Sequence, residues 1–600
     1  MKQGFAANLR RVMGYDRTVA RLIAAWCSFA ALTLMLGFGF DELEYAQGIG
    51  FGRIALTVAL FFVAYTLIAL PIPELPTDSW FLFAAATVCV CRWLLEFEGG
   101  ENEFLFVLAV TVAYCLFLVW CYRANADLLR RFDLNRRTVM GIALLLGAAS
   151  CAMIAAITCL RYKTFSSPNF DFGLFCNMFH NMKETGLPMI TSERDRLLSH
   201  FAVHISPVYY LLLPFYCLFP SPMTLQIGQA VALALGVIPV VLLAQHHRLS
   251  GKMTLLVAAF YAFYPALSAG CFYDLHENCF LPLFLLLTFL FYEKKKYIPM
   301  YISALFVLSV KEDAAIYLLF FALFVLLSER KPLHGALLAA MSVGYFALCA
   351  HWLQAHGEGM MINRFNNLIY DQGDGLLGAI KTALVNPGYL LTQLFTTGAD
   401  TWEKIVYVLQ MLLPLGLLPF CSKKTSRWLL VAPLLINLLT YYVYQYDLGF
   451  QYHFGITAFL FYATIKNLPE LSLPTRETLL SVAAAACCCI YLFSVVPFFN
   501  SYRTRWQSGK DTYAKMEAAL DTIPEDASVC VSTFLLAHIA DRDEVYEVKY
   551  HDYKPDVDYV VLDMRYKASY EDALDAYLAH GYTVTAVHDN LITVMGKPTS

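Results

Sequence analysis

The stretch TVMGIALLLGAASCAMIAAITCL (138–160) decides the fold class, because it contains no charged residue and exceeds the roughly 20 apolar residues that a helix needs to cross a bilayer. Comparable apolar stretches begin with Val19 to Phe40 and recur along most of the chain. Hydrophobic residues make up 59% of the chain and charged residues 15%, whereas soluble domains carry about 25% charged residues. We therefore predict an all-α polytopic protein of the plasma membrane, in contact with membrane lipids. The net charge of -4 shows no basic excess and argues against a nucleic-acid partner.

The distribution of basic residues predicts the orientation of the helices. The loop before residue 138 is the most basic in the chain, and basic residues also precede the first apolar stretch, so both are expected in the cytoplasm. The short, proline-containing run 205–219 is expected to be a re-entrant or interfacial helix, because counting it as a crossing would place every later basic loop outside. This topology has about 15 crossings, a cytoplasmic N-terminus and an external C-terminus. The basic residues near the N-terminus are Arg10, Arg11, Arg17 and Arg21, and those of the loop are Arg123, Arg130, Arg131, Arg136 and Arg137.

The chain divides into three parts by composition. Residues 1–137 are predicted to form an N-terminal four-helix transmembrane module, residues 138–499 a transmembrane core with external loops, and residues 500–600 an external soluble α/β domain. The last part contains no GxGxxG or Walker-type loop, so a nucleotide-binding role lacks support. Its hydrophobic patterns predict strands at 528–532, 545–549, 559–563 and 582–588, and helices at 511–520, 533–539 and 570–580.

The polar residues of the core are concentrated on the predicted external side. Charged side chains at the ends of membrane helices are costly unless they pair, bind an ion or line a wet cavity. A transporter would place such groups near the bilayer midplane, with access from both sides, so their one-sided position favours chemistry on the external face. The residues are Asp171, His200, His204, Asp274, His276, Glu277, Lys311, Glu312, Asp313, Tyr452 and His453.

Asp171 follows an outward-going helix and has two interpretations. The apolar spacing after it predicts an amphipathic helix at the external surface, with Asn177, His180 and Asn181 toward water. Asp171 would then cap this helix, since aspartate is a preferred N-cap residue. In the other interpretation, its carboxylate is a general base at the point where a membrane-embedded substrate meets water.

Two histidine-containing motifs suggest ligand binding. His200 and His204 are four residues apart and share a helical face, a spacing that can hold zinc or bind phosphate, although a pair hydrogen-bonded to neighbouring residues is the other interpretation. Asp274, His276 and Glu277 lie in one short loop between apolar helices, and oxygen and imidazole donors suit Mg, Mn or Zn. Hydrogen bonds or salt bridges that stabilise the loop are the alternative role for this second motif.

Two further groups complete the candidate site. Lys311, Glu312 and Asp313 form either an internally paired triplet or a site in which Lys311 neutralises a phosphate while Glu312 or Asp313 contributes to the metal or acceptor site. Tyr452 and His453 open the next inward helix, as an interfacial aromatic anchor or as part of a phosphate-binding site.

Several sequence blocks at these positions resemble a known family. The chain resembles, over about residues 138–565, an uncharacterised group of bacterial and archaeal polytopic membrane proteins known only by a domain of unknown function. That group is similar in turn to the GT-C glycosyltransferases, which take sugars from polyprenyl-phosphate donors on the non-cytoplasmic face. The blocks are FDFGLF (170–175), HFAVHISPVYYLLLPFYCLFPSPMTLQIGQA (200–230), FYDLHENCFLPL (272–283), VKED (310–313) and QYH (451–453).

The second resemblance implies a GT-C-like helical bundle with its active site outside. Asp171, in the first large external loop, would be the base that activates the acceptor. Glu193 and Asp195 are substitutes, because the acidic pair often found in that loop of GT-C enzymes is not adjacent here. A divalent metal or basic groups would bind the donor phosphate, and the candidates for this role are Asp274, His276, Glu277, Lys311, His204 and His453.

These expectations lead to one function and one alternative. The chain is expected to be an integral-membrane glycosyltransferase that moves a sugar from a polyprenyl-phosphate lipid donor to an envelope glycan, lipid or protein acceptor. The alternative is a transporter or flippase of a lipid-linked or polyanionic substrate, with the same charges along its path. The glycine-containing segment between Trp352 and Glu403 is expected to close over the acceptor as a lid.

Overall fold

The computed structural model describes residues 2–36, 48–96, 103–131, 133–360, 363–371, 373, 375–396 and 401–597. This part of the chain is predominantly helical and carries a small sheet near its C-terminal end, as the composition predicts. Residues 37–40 of the first predicted span lie outside the described residues. So do positions 361, 362, 372, 374 and 397–400 of the predicted lid.

Among the α-helices, most of the long ones coincide with apolar stretches of the sequence. In chain order they are α1 (Lys2–Val12), α2 (Tyr15–Met35), α3 (Phe51–Ala69), α4 (Thr77–Glu96), α5 (Glu103–Arg131), α6 (Arg136–Lys163), α7 (Leu174–Thr185), α8 (Leu213–Leu218), α9 (Pro222–Leu235), α10 (Val237–His246), α11 (Gly251–Ala262), α12 (Pro265–Ala269), α13 (Leu281–Glu293), α14 (Tyr297–Leu308), α15 (Ala314–Leu327), α16 (Pro332–His356), α17 (Gly375–Val385), α18 (Pro387–Thr396), α19 (Thr401–Leu412), α20 (Leu434–Leu439), α21 (Phe454–Asn467), α22 (Leu473–Ser494), α23 (Val496–Leu520) and α24 (Glu571–Ala579).

Within the described ranges, nine helical segments are long and apolar enough to cross a membrane. They comprise six single helices, namely α2, α3, α4, α5, α6 and α16, and three joined pairs, namely α9 with α10, α11 with α12, and α22 with α23. The apolar helices α14 and α15 have 12 and 14 residues and fall short of a full crossing. The protein is therefore multi-pass, whereas the predicted total of about 15 crossings is not confirmed.

Residues 205–219 do not form a spanning helix. Their helical part consists of a 3-10 helix of five residues, Pro207–Leu211, and the six-residue helix α8. Pro207 and Pro214 each lie in the first turn of one of these helices, where a missing amide hydrogen is tolerated. Both helices are too short to cross a bilayer, as expected for a re-entrant segment.

The C-terminal domain is built on a five-stranded mixed sheet with the order β4-β3-β5-β7-β6. Strand β3 pairs in parallel with β4 and β5, whereas β7 pairs antiparallel with β5 and β6. The strands are β3 (Val529–Val531), β4 (Val545–Glu547), β5 (Tyr559–Asp563), β6 (Thr583–His588) and β7 (Ile592–Gly596); the strands β1 (Met189–Ile190) and β2 (Leu198–Ser199) form a separate hairpin after α7. The sequence analysis predicts the first four strands of the sheet and misses β7.

The C-terminal domain packs against the end of the core at which α6 ends. Helix α23 continues from α22 into the domain, so the predicted boundary at residue 500 falls inside a helix. Val529 and Val561 of the sheet belong to the same buried hydrophobic cluster as Ile157 of α6 and Phe172, which lies just before α7. The segment around α7 is thus enclosed between the helices and the sheet.

Candidate functional site

Asp171 lies in a tight turn, Asn169–Gly173, that joins α6 to α7. Its Oδ2 accepts a hydrogen bond of 2.7 Å from Nε2 of His276, and 31% of its side chain is exposed. Helix α7 begins at Leu174 without any side-chain cap, so Asp171 is not its N-cap residue. The carboxylate is therefore oriented by a histidine from another loop while one part of it stays accessible.

The sequence predicts that the asparagines of α7 face water, and this prediction is wrong. Asn177 is fully buried and Asn181 nearly so, because the α/β domain covers this side of the helix. Nδ2 of Asn177 donates to the carbonyl oxygens of Ala540 and Arg542, at 3.3 and 2.9 Å. The polar face of α7, which the sequence predicts to face water, thus packs against the α/β domain.

The ring of Phe175 in α7 connects the two histidine motifs. Its centroid lies 5.6 Å from His200 and 5.8 Å from His276, edge-on in both cases, and 5.1 Å from the ring of Tyr209. Nε2 of His200 and Nδ1 of His276 are buried, and neither has a hydrogen-bond partner in the described part of the chain. Stretches far apart in sequence are thus gathered around one aromatic ring.

The side chains gathered around Phe175 are called the cluster below. Glu277 and Lys311 form a buried ion pair in it. Nζ of Lys311 lies 2.9 Å from Oε1 of Glu277, and the two side chains are 11% and 2% exposed. The second carboxylate oxygen accepts a hydrogen bond of 2.6 Å from the hydroxyl of Tyr209. Because an ammonium group has three N–H donors, Lys311 has donors to spare for a further anion.

Glu312 holds the His204 end of the cluster. Its Oε1 lies 2.8 Å from Nδ1 of His204, and its Oε2 accepts a hydrogen bond of 2.9 Å from the backbone amide of Ile205. Both carboxylate oxygens are therefore bonded within the protein. This arrangement gives Glu312 a positioning role for His204 and leaves it poorly placed as a base.

Asp313 differs from its neighbour Glu312. It is half-buried just before α15 and does not cap that helix through its side chain, and its carboxylate makes no hydrogen bond or ion pair with another described residue. Like Asp171, it is a carboxylate of the cluster with accessible oxygens. These two residues are therefore the candidates for a proton acceptor.

The charges of the cluster shift the pKa values of the two accessible carboxylates in opposite directions. Burial raises the pKa of Asp171, but the His276 and Lys311 charges outweigh it and hold the pKa below the usual value. At Asp313 burial outweighs the effect of Lys311, so the pKa is raised. For Lys311 itself, burial opposes the charged form, but Glu277 and Asp313 outweigh it and keep the pKa above its usual value. Lys311 thus stays an ammonium near neutral pH.

Asp274 is held apart from the other candidates by its own network. Nε of Arg161, in the last turn of α6, lies 3.0 Å from its Oδ2, while Oδ1 accepts hydrogen bonds from Ser167 and Gln226 at 3.0 and 2.7 Å. The guanidinium of Arg161 also donates to the hydroxyl of Tyr502 in α23, at 2.7 Å. Arg161 is missing from the predicted site, although an arginine at the predicted external end of a helix is the signal that could have revealed it.

A divalent metal does not fit the loop that carries Asp274, His276 and Glu277. Asp274 has a left-handed backbone with φ of 70°, whereas His276 is extended, so successive side chains point in different directions. They bond to Arg161, Asp171 and Lys311 respectively. Over the described ranges, no three histidine, cysteine or acidic side chains are arranged as a ligand set. The metal remains a prediction without geometric support.

The two other acidic candidates of the first segment predicted to be external have structural partners. Oε2 of Glu193 lies 3.1 Å from Nδ1 of His200, and both side chains are buried. Asp195 bonds to Nδ1 of His551 at 2.5 Å and to the ammonium of Lys554, both in the α/β domain. Glu193 thus supports His200, and Asp195 fastens the domain to the core.

Tyr452 and His453 occupy different environments although they are adjacent. His453 is completely buried, and its Nε2 donates to the carbonyl oxygen of Ala266 at 2.7 Å, so it lies outside the cluster. Tyr452 is half-buried, and the guanidinium of Arg364 lies 5.0 Å from its ring centroid. Tyr452 therefore borders the accessible side of the site.

The α/β domain supports the turn that carries Asp171. The backbone amide of Asn169 donates to Oγ1 of Thr533 at 3.1 Å, and its Nδ2 donates to Glu547 at 2.7 Å. Both partners follow or end the parallel strands β3 and β4, the edge at which α/β domains commonly bind ligands. Here that edge is used to hold a loop of the membrane core.

The arrangement as a whole combines a partly exposed carboxylate, a histidine that orients it and a buried ammonium group. Such groups can remove a proton from a hydroxyl and stabilise an anionic leaving group. No curated protein matches the chain. A family model described as "Predicted membrane protein (DUF2079)", a domain of unknown function, matches residues 161–593. The match covers most of the chain, including every candidate site residue and most of the α/β domain, and the protein therefore belongs to this family of predicted membrane proteins.

Proposed function

We propose that the protein is an integral-membrane glycosyltransferase that moves a sugar from a polyprenyl-phosphate donor to a cell-envelope acceptor on the external face. The observation that carries this proposal is the contact between Asp171 and His276 beside the Glu277–Lys311 pair. A base and a cation are the two groups that sugar transfer from a lipid phosphate requires.

In the proposed mechanism, Asp171 accepts the proton of the acceptor hydroxyl while the acceptor oxygen forms a bond to the anomeric carbon of the sugar. The bond between that carbon and the phosphate oxygen breaks, and the polyprenyl phosphate leaves with the bonding electron pair. His276 holds Asp171 in place through its 2.7 Å hydrogen bond. Lys311 stabilises the negative charge on the departing phosphate, because its ammonium has free donors and stays charged. No step uses a metal.

We also propose that the short apolar helices complete a GT-C-like bundle of about 15 crossings, with a cytoplasmic N-terminus and an external α/β domain. Two features support this orientation. Helix α6 begins with Arg136 and ends beside Asp274, and α21 begins beside Tyr452 and carries Lys466 near its other end. Arg136 and Lys466 thus lie at the end of the bundle opposite to the site, in accord with a cytoplasmic location of that end.

A transfer assay tests the proposed function. Purified protein is incubated with labelled polyprenyl-phosphate sugars and envelope acceptors, and new glycosidic products are counted. The wild type is expected to form product, and Asp171→Asn to form it about 100- to 10,000-fold more slowly, the usual contribution of a general base. The asparagine keeps an oxygen that can accept the hydrogen bond from His276, so the fold should be preserved.

Asp313→Asn tests the other candidate for the proton acceptor, and its loss of activity together with full turnover by Asp171→Asn would make Asp313 the base. Glu184→Gln is the control, because Glu184 is an exposed carboxylate in α7 that pairs with Lys183 outside the cluster. The control should retain the wild-type activity, and His276→Ala should lose less activity than Asp171→Asn. Full turnover by Asp171→Asn would end the assignment of the base. Labelled lipid that crosses a liposome membrane without any new glycosidic bond would replace the transferase by the transporter or flippase alternative.

A further inference from the structure

Arg364 lies in the external segment between α16 and α17, in the short 3-10 helix Asn363–Leu368. Its guanidinium carbon lies 4.5 Å from the ring centroid of Tyr442 and 5.0 Å from that of Tyr452. Two aromatic rings thus hold one arginine side chain, an arrangement that fixes its position without neutralising its charge.

Arg364 has no acidic partner in the described part of the chain, unlike several other arginines of the core. Arg161 and Arg427, for example, are paired with Asp274 and Glu470. Across the described ranges, the guanidinium of Arg364 makes neither an ion pair nor a hydrogen bond. The two rings lie 6.0 Å apart and nearly perpendicular to each other, so they flank adjacent sides of the guanidinium, and its five N–H donors have no acceptor among the described residues.

A continuous row of aromatic rings joins Arg364 to the catalytic cluster. The ring of Tyr273 lies 6.2 Å from His276 and 4.8 Å from Phe450. Phe450 lies 4.5 Å from Tyr444, which lies 5.1 Å from Tyr442, one of the rings that hold Arg364. The arginine thus stands at the end of an aromatic wall that starts at the histidine bonded to Asp171.

Charges from both Arg364 and the cluster act on the phenol of Tyr452. Burial raises the pKa of the Tyr452 phenol, and the other charges that act on this phenol include Arg364, Lys311 and Asp171. The phenol of the half-buried Tyr452 thus lies near enough to Arg364, Lys311 and Asp171 for the charge of each to act on it.

We propose that Arg364 and Lys311 together bind the phosphate of a lipid substrate. Arg364 supplies a planar pair of N–H donors suited to two phosphate oxygens, and Lys311 supplies a point charge from the other side. The lipid identity of this ligand rests on the proposed function, whereas the anion site itself rests on the position of Arg364.

A binding measurement tests this site separately from catalysis. The full-length protein in nanodiscs is titrated with polyprenyl phosphate and, in parallel, with the uncharged polyprenol. Arg364→Gln should weaken binding of the phosphate at least ten-fold and leave binding of the alcohol unchanged. Arg364→Lys should retain part of the affinity because it keeps the charge but loses the planar fork. Neither variant removes a hydrogen bond within the fold, so the melting temperatures should match that of the wild type.

Arg503→Gln is the matched control, since Arg503 is exposed in α23 and stacks over Phe499 at 5.8 Å without an acidic partner in the described residues. It should leave phosphate binding unchanged. Equal affinity of Arg364→Gln and wild type for polyprenyl phosphate would overturn the site. Inorganic phosphate that binds as tightly as the lipid phosphate would overturn the lipid assignment. Tight, Arg364-dependent binding without sugar transfer would uphold the site and refute the transferase.

Discussion

Replacing Lys311 by methionine tests whether Glu277 is held as a charge inside the cluster. In the wild type the two groups are 2.9 Å apart, and only 2% of the Glu277 side chain is exposed. Burial raises the pKa of Glu277, but Lys311, His276, His204 and the hydrogen bond from Tyr209 together outweigh burial and hold the pKa well below its usual value. Without the ammonium, the hydroxyl of Tyr209 is the one hydrogen-bond partner left to the carboxylate in the described part of the chain, and burial then favours the protonated form of Glu277.

The cost of that protonation depends on pH. A carboxyl group with an ordinary pKa of about 4.3 is protonated at pH 7 at a cost of about 3.7 kcal/mol, since each pH unit corresponds to 1.36 kcal/mol. At pH 5 the same step costs about 1 kcal/mol. The free energy of unfolding of Lys311→Met should therefore fall by about 3 to 4 kcal/mol at pH 7 and by about 1 kcal/mol at pH 5. The double variant with Glu277→Gln should regain most of this loss, because an amide needs no counter-charge.

The measurement is denaturant unfolding of the purified protein in detergent micelles at both pH values, followed by tryptophan fluorescence. Lys554→Met is the control, since Lys554 is 47% exposed and pairs with Asp195 at the edge of the α/β domain, where an ion pair contributes little. If Lys311→Met is as stable as this control at pH 7, or if its loss is the same at pH 5, the reasoning about a buried charge pair fails.

Two further predictions concern the surroundings of the cluster. Asn169→Leu removes the hydrogen bond to Glu547, so limited proteolysis should cleave around α7 faster than in the wild type, and an unchanged cleavage rate would show that the sheet does not hold this turn. Burial lowers the pKa of His200, but Glu193 outweighs burial and raises it, so their pair stabilises the fold fully below about pH 6.5 and loses this effect as the pH rises through the raised pKa. Glu193→Gln should therefore lower the melting temperature more at pH 6 than at pH 9, and equal losses at both values would contradict the pairing.

The sequence predicts the positions of the helices well because a membrane helix requires a long apolar stretch, and such stretches are visible without any partner. It also identifies which short loops carry charges. It does not predict which charges pair. The backbone at Asp274 is left-handed, so Asp274, His276 and Glu277 turn to three partners from other parts of the chain, although their spacing suggested one ligand set.

The unpredicted strand β7 and the unpredicted burial of Asn177 have different causes. Strand β7 follows Asp589 and Asn590, which both have positive φ values of 50° and 55°. Two such residues are typical of the tight turn in a two-residue hairpin, and this turn signal could have revealed the strand. The burial of Asn177 could not be inferred in the same way, because the residues that cover it lie in a domain more than 350 positions later in the chain.

A structure of the protein with bound polyprenyl phosphate, determined by electron cryomicroscopy in nanodiscs, tests the central claim most directly. We predict a phosphate within hydrogen-bond distance of Lys311, on the side of the cluster where Asp171 is accessible. A phosphate resolved beside Lys466 at the other end of the bundle, or one that leaves Lys311 without contact, would contradict a shared active centre.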